Sequence, residues 1–179
     1  MAVAAHPASA QRGRTQVNVV GDSITYLTAS AIAKVFGPAN WTTSIVGKPG
    51  ATMTDMLPAI ESLRTTSPAD WVIELGTNDA FLNNPDWWSA FWTEVSTLGS
   101  QQQCVIMATP SVLLQPIAGY IHISIYYAGL LHPNFHMLDW GTFEYANASW
   151  LEPDQIHPTP AGQAELAGLI KDAVLHDCA

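Results

Sequence analysis

Four short segments hold residue types that could carry out acyl transfer if the fold gathered them: Gly21-Asp22-Ser23-Ile24-Thr25, Gly47-Lys48-Pro49-Gly50, Gly76-Thr77-Asn78-Asp79 and Asp154-Gln155-Ile156-His157. A serine between a strand and a helix has an exposed hydroxyl, and its own N–H lies near the positive end of the helix dipole. A histidine can take the serine proton, and an acid three residues ahead can hold the imidazole in the required tautomer. A glycine lets the backbone offer an N–H to a developing oxyanion, and an asparagine side chain adds another donor. Pro158 biases His157 away from helical geometry, which keeps its ring on a loop. Taken singly, Gly-Asp-Ser is ordinarily a turn and Asp-x-x-His a capped helix entry. Their joint occurrence in this order carries the reading.

The elements that must position these residues alternate. β-like runs are expected over Gln16–Val20, Trp41–Val46, Asp70–Leu75, Cys104–Ala108 and Phe135–Trp140. Helical periods are expected over Tyr26–Phe36, Thr54–Arg64 with Thr54 as cap, Pro85–Leu98, Gly119–Leu131 and Pro160–Leu175 with Thr159 as cap. Such β-α alternation implies a parallel sheet covered on both faces, because each crossover needs a helix. Ligands then bind beyond the carboxyl ends of the strands. All four segments fall at or after such ends.

On these residues the chain resembles the SGNH hydrolases, also called the GDSL esterase/lipase family. Ser23 stands in GDSIT, Gly50 in GKPGAT, Asn78 in GTND, and Asp154 with His157 in DQIHPT. The first segment has Ile24 where the name-giving motif has Leu, and Gly47 stays a second candidate beside Gly50. The resemblance implies a three-layer α/β/α, flavodoxin-like fold whose five-stranded parallel sheet has the order 2-1-3-4-5. It also implies Ser23, Asp154 and His157 as catalytic residues, with an oxyanion hole from the Ser23 and Gly50 N–H groups and the Asn78 side chain. The α/β-hydrolase elbow is excluded, since Gly-x-Ser-x-Gly needs glycine where Thr25 stands. In the strand order 2-1-3-4-5 the last helix ends near the start of strand four, so Cys178 is expected within reach of Cys104. A bridge there would favour an exported enzyme.

Around the site, Leu113, Leu114 and Trp150 are the expected substrate-binding residues. Trp88 and Trp92, at i, i+4 spacing, read better as a core-facing stripe. Pro133 breaks any helix that would align His132 with His136, so no metal is expected, and no phosphate loop or dinucleotide fingerprint implies a cofactor. The formal net charge of -9 with six Lys plus Arg argues against nucleic acid as a partner. No apolar run is long enough to span a bilayer. Residues 16–179 read as a single domain, expected to be monomeric. Residues 1–15 read as a disordered start or the remnant of an export signal, with Ala8-Ser9-Ala10 in small-x-small form. The expected activity is a secreted serine esterase acting on short-chain acyl esters or acylated carbohydrates. A transacylase using the same triad and a non-catalytic glycan- or lipid-binding module are the alternatives.

Overall fold

Five short strands pair side by side in a computed structural model that describes residues 15–39, 41–65, 69–100, 103–114 and 116–178. They are β1 (Gln16–Gly21), β2 (Thr42–Gly47), β3 (Asp70–Glu74), β4 (Val105–Ala108) and β5 (Phe135–Leu138). All neighbours are parallel and the order is β2-β1-β3-β4-β5. This is the expected three-layer, flavodoxin-like architecture. The central strands are buried on both faces, which is why Trp71, Val72 and Ile73 read as an unbroken apolar run, and even Asn18, between Val17 and Val19, is buried.

Alternate residues serve two cores. Val20, Trp71, Ile73, Val105 and Met107 pack with α2 (Met53–Arg64), α4 (Trp87–Gly99) and α5 (Ile117–Leu131). Val17, Val19, Val72, Ile106 and Ala108 pack with α1 (Ser23–Phe36) and α7 (Pro160–Asp177) on the opposite face. The chain leaves β1 for β2 on one side and β3 on the other, so a crevice opens beyond the carboxyl ends of β1 and β3.

The structure revises several expected boundaries. The cap of α2 is Thr52, not Thr54: its hydroxyl accepts from the Asp55 N–H while the Asp55 carboxylate accepts from the Thr52 N–H. Only Thr52 has an acid three residues on, so only it can close this reciprocal pair. Two helices, α3 (Thr77–Phe81) and α6 (Trp140–Ala146), were not expected. They have five and seven residues, too few to show a helical period. Strand β5 stops at Leu138 instead of Trp140. There the chain turns against the loop after β4: the Gly141 N–H donates to Thr109 Oγ1 at 3.0 Å, and a Cβ on Gly141 would lie 2.1 Å from the Pro110 carbonyl oxygen. The expected capping of α7 by Thr159 is present, with its hydroxyl accepting from the Gly162 N–H at 3.2 Å.

Cys104 and Cys178 form a disulfide across a separation of 74 residues. The expectation for the N-terminal segment falls on residues 1–14, outside the described residues, and on Thr15. No helix among the described residues is long and apolar enough to cross a membrane.

The inner face of α6 carries Glu144, which has no exposed surface. Burial pushes its carboxyl up to about 7, and the nearby Ser111 hydroxyl and Trp140 indole N–H offset only part of this. Because the folded value lies above the ordinary 4.5, Glu144 favours the folded state only at low pH, and that contribution is lost as pH rises through about 7. The full shift corresponds to about 3 kcal/mol. The variant Glu144→Gln is therefore expected to gain stability over wild type between pH 5 and pH 8. Urea denaturation at both values checks this, and an equal difference at the two pH values would contradict it.

Candidate active site

The first turn of α1 begins where β1 ends. Asp22 caps it, with Oδ1 accepting from the Ile24 N–H at 2.9 Å, and Ser23 is the first helical residue. His157 comes from the loop before α7, and its Nε2 lies 3.0 Å from Ser23 Oγ. The other ring nitrogen, Nδ1, is 2.7 Å from Asp154 Oδ2. Asp154 Oδ1 accepts from the Ile156 and His157 N–H groups, both at 3.0 Å, so acid and base are held in one local turn. Gln155 adopts φ +60° to close that turn. A pairing of Leu151 with Pro158 and a bond from the Glu152 N–H to the His157 carbonyl at 2.8 Å tie down its base.

This arrangement fixes chemistry as well as position. A carboxylate at Nδ1 keeps the proton there and leaves Nε2 as the acceptor for the Ser23 hydroxyl proton. Burial tends to raise the Asp154 carboxyl, but hydrogen bonds from the His157 N–H, the His157 ring and the Ile156 N–H outweigh it and bring the group to about 2. Asp154 therefore stays ionised throughout any working range.

The two glycines of the second segment differ in kind. Gly47 permits close packing, since a Cβ there would lie 2.4 Å from the Tyr26 backbone nitrogen. Gly50 has φ +76° and follows Pro49 in a turn closed by the Ala51 N–H on the Lys48 carbonyl at 3.1 Å. Proline then a residue of positive φ is the type II pattern, which favours glycine. The N–H groups of Ser23 and Gly50 have no hydrogen-bond partner among the described residues.

Asn78, on α3, binds the segments together. Its Nδ2 donates to Asp22 Oδ2 at 3.1 Å and to the Ala51 carbonyl at 3.0 Å. Asp79 accepts from the Met53 N–H at 2.9 Å and from Asn84 Nδ2 at 2.7 Å. Both Asp22 and Asp79 thus brace loops through backbone N–H groups. Burial pushes Asp22 up to about 6 against the opposing pull of the Ile24 N–H, the nearby His157 and Asn78.

A groove of about 400 Å³ adjoins the Asp154 turn, lined by Leu113, Tyr145, Leu151, Pro153 and Gln155 among others. Of the expected substrate-binding residues, Leu113 is on its wall. Leu114 is half-buried, its N–H bonded to the Ser111 carbonyl at 3.2 Å. Trp150 packs on the second core, its ring stacked on Trp140 at 6.1 Å.

Sequence reading passed over one residue of this neighbourhood. Glu74, the last residue of β3, is buried and its Oε2 accepts from both the N–H and the hydroxyl of Thr25 at 3.0 and 2.9 Å. The available signal was an acid inside the otherwise apolar run WVIEL.

No family model matches the chain, and no curated protein matches it by sequence. Solved structures do match in fold. TesA is 16% identical with a TM-score of 0.72, over 89% of this chain and 97% of that one. The psychrotrophic esterase EstA from Pseudoalteromonas sp. is 13% identical with a TM-score of 0.74, over 90% and 97%. Axe2, an acetylxylan esterase from Geobacillus stearothermophilus, is 15% identical with a TM-score of 0.72, over 95% and 97%. The chain shares the fold of these three structures, two of them named as esterases, over nearly its whole length.

Proposed function

We propose that the chain is a serine esterase that hydrolyses carboxylic ester bonds through an acyl-enzyme on Ser23. The observation that carries this reading is the unbroken line from Asp154 through His157 to Ser23 Oγ, at 2.7 and 3.0 Å. His157 Nε2 takes the Ser23 proton as Oγ attacks the ester carbonyl carbon, and the carbonyl oxygen becomes an oxyanion. The Ser23 and Gly50 N–H groups supply donors for that charge, and Asn78 Nδ2 adds one by releasing the Ala51 carbonyl. Collapse expels the alcohol, which leaves with the proton from His157. Water, deprotonated by the same nitrogen, then frees the acid and restores Ser23.

Short-chain acyl esters or acylated carbohydrates are the proposed substrates, taken in the groove beside Leu113. The fold shared with an acetylxylan esterase supports this class. Export to an oxidising compartment is proposed on the strength of the Cys104–Cys178 bridge.

Hydrolysis of p-nitrophenyl esters from acetate to palmitate, compared between wild type and Ser23→Ala, tests the reading. Turnover is expected in wild type, with a fall of about 10⁶-fold in the variant. A fluorophosphonate should label Ser23 covalently. Equal turnover in both proteins, or no label on Ser23, would overturn the proposal in favour of a binding module.

A further inference from the structure

The first turn of α1 presents three N–H groups with no acceptor inside the helix, those of Ser23, Ile24 and Thr25. Asp22 satisfies Ile24 from the cap position. Thr25 is satisfied from a different element, because Glu74 reaches over from β3, the neighbour of β1, to take its N–H and its hydroxyl on one oxygen. The Glu74 backbone carbonyl also accepts from the Asp22 N–H at 3.3 Å. Of the three, only the Ser23 N–H is left over. The clamp needs Gly21 beneath it: a Cβ there would lie 2.0 Å from Thr25 Oγ1 and 2.5 Å from the Glu74 carbonyl oxygen.

On the premise of the esterase reading, we propose that Glu74 is a positioning residue for the reaction: by gripping Thr25 it fixes the first turn of α1 and keeps the Ser23 N–H aimed at the developing oxyanion. Without Glu74, the Thr25 N–H and hydroxyl would be buried with no acceptor, and the turn would shift to satisfy them. The grip needs an acceptor, not a charge. Burial raises the Glu74 carboxyl well above its ordinary value, and the facing carboxyls of Asp22 and Glu144 raise it further, against the two Thr25 bonds. A carboxyl pushed towards its neutral form holds the turn while placing less negative charge behind a site that must stabilise an anion.

Steady-state hydrolysis of a p-nitrophenyl ester by Glu74→Ala, Glu74→Gln and Thr25→Val, with circular dichroism to establish folding, tests the role. Glu74→Ala is expected to lose about 10²-fold in kcat with KM within about threefold, the signature of a mispointed oxyanion donor. The glutamine, which offers the same carbonyl acceptor, should recover most of that loss, within about fivefold of wild type. The proposal is overturned if folded Glu74→Ala keeps kcat within about threefold of wild type, or if Glu74→Gln loses as much as Glu74→Ala. Should Glu74→Ala fail to fold, Thr25→Val decides: a fall of about tenfold in kcat supports the clamp, and an unchanged kcat overturns it. Wild type without Ser23-dependent turnover would overturn the esterase reading itself, and this role with it.

Discussion

Replacing His157 with alanine is expected to lower kcat by about 10⁶-fold and Asp154 with asparagine by about 10⁴-fold, with each variant folded. The difference between the two follows from what each group does. Without the imidazole, no base stands near Ser23 Oγ, and the hydroxyl must attack with its proton still attached. Asp154→Asn leaves an imidazole in place but presents a donor, or a weaker acceptor, to Nδ1. The proton then moves to Nε2, the nitrogen that should face Ser23. Because Asp154 is already ionised above about pH 2, its titration cannot set the acid limb of the activity profile. Both losses come from one relay, so the double variant should be no slower than His157→Ala alone. Rates of the three variants on one p-nitrophenyl ester check this. An Asp154→Asn enzyme within about tenfold of wild type would mean that the acid only shapes the loop.

The catalytic candidates were legible because their chemistry is local to strand ends. Ser23 follows the valine-rich run Gln16–Val20, and Asp154 and His157 are joined by a turn that Pro158 forces out of helix. The strand order was expected through the resemblance, not from periodicity, since an alternating pattern alone admits several orders. What stayed hidden were contacts between elements distant in sequence. Glu74 and Thr25 are 49 residues apart, and nothing in either segment announces the pair. Asn78 was expected to face a substrate, yet at rest its amide also knits Asp22 to Ala51, a role visible only once three loops are placed together. Gly47 and Gly50 look alike in sequence, and only the approach of Tyr26 to one and the positive φ of the other separate them. Helices α3 and α6 were missed because so few residues cannot display a period.

Removing the bridge with Cys104→Ala and Cys178→Ala together is expected to cost stability while leaving catalysis intact. In the chain-entropy model, closing a loop of this separation of 74 residues stabilises the fold by about 4.5 kcal/mol. For a domain of this size that is roughly 10–15 °C in Tm. Both sulfurs belong to buried residues in the core formed with α1 and α7, so alanine adds a small cavity term instead of a polar penalty. Catalysis should be spared because of where the bridge lies. Cys104 precedes β4 and Cys178 follows α7, at the amino edge of the sheet, whereas Ser23, Asn78 and the Asp154 turn stand beyond the carboxyl edge. Helix α7 links the two ends: its first turn is anchored by Thr159 beside the His157 loop, and its last residues by the bridge. The separation of stability from activity thus tests whether α7 transmits a loosened carboxyl end back to the base. Thermal unfolding and kcat measured well below Tm check it together. A Tm shift under about 3 °C would show that packing of Leu166, Ile170 and Val174 already fixes the helix. A fall in kcat beyond about threefold would show instead that His157 is positioned through the whole length of α7.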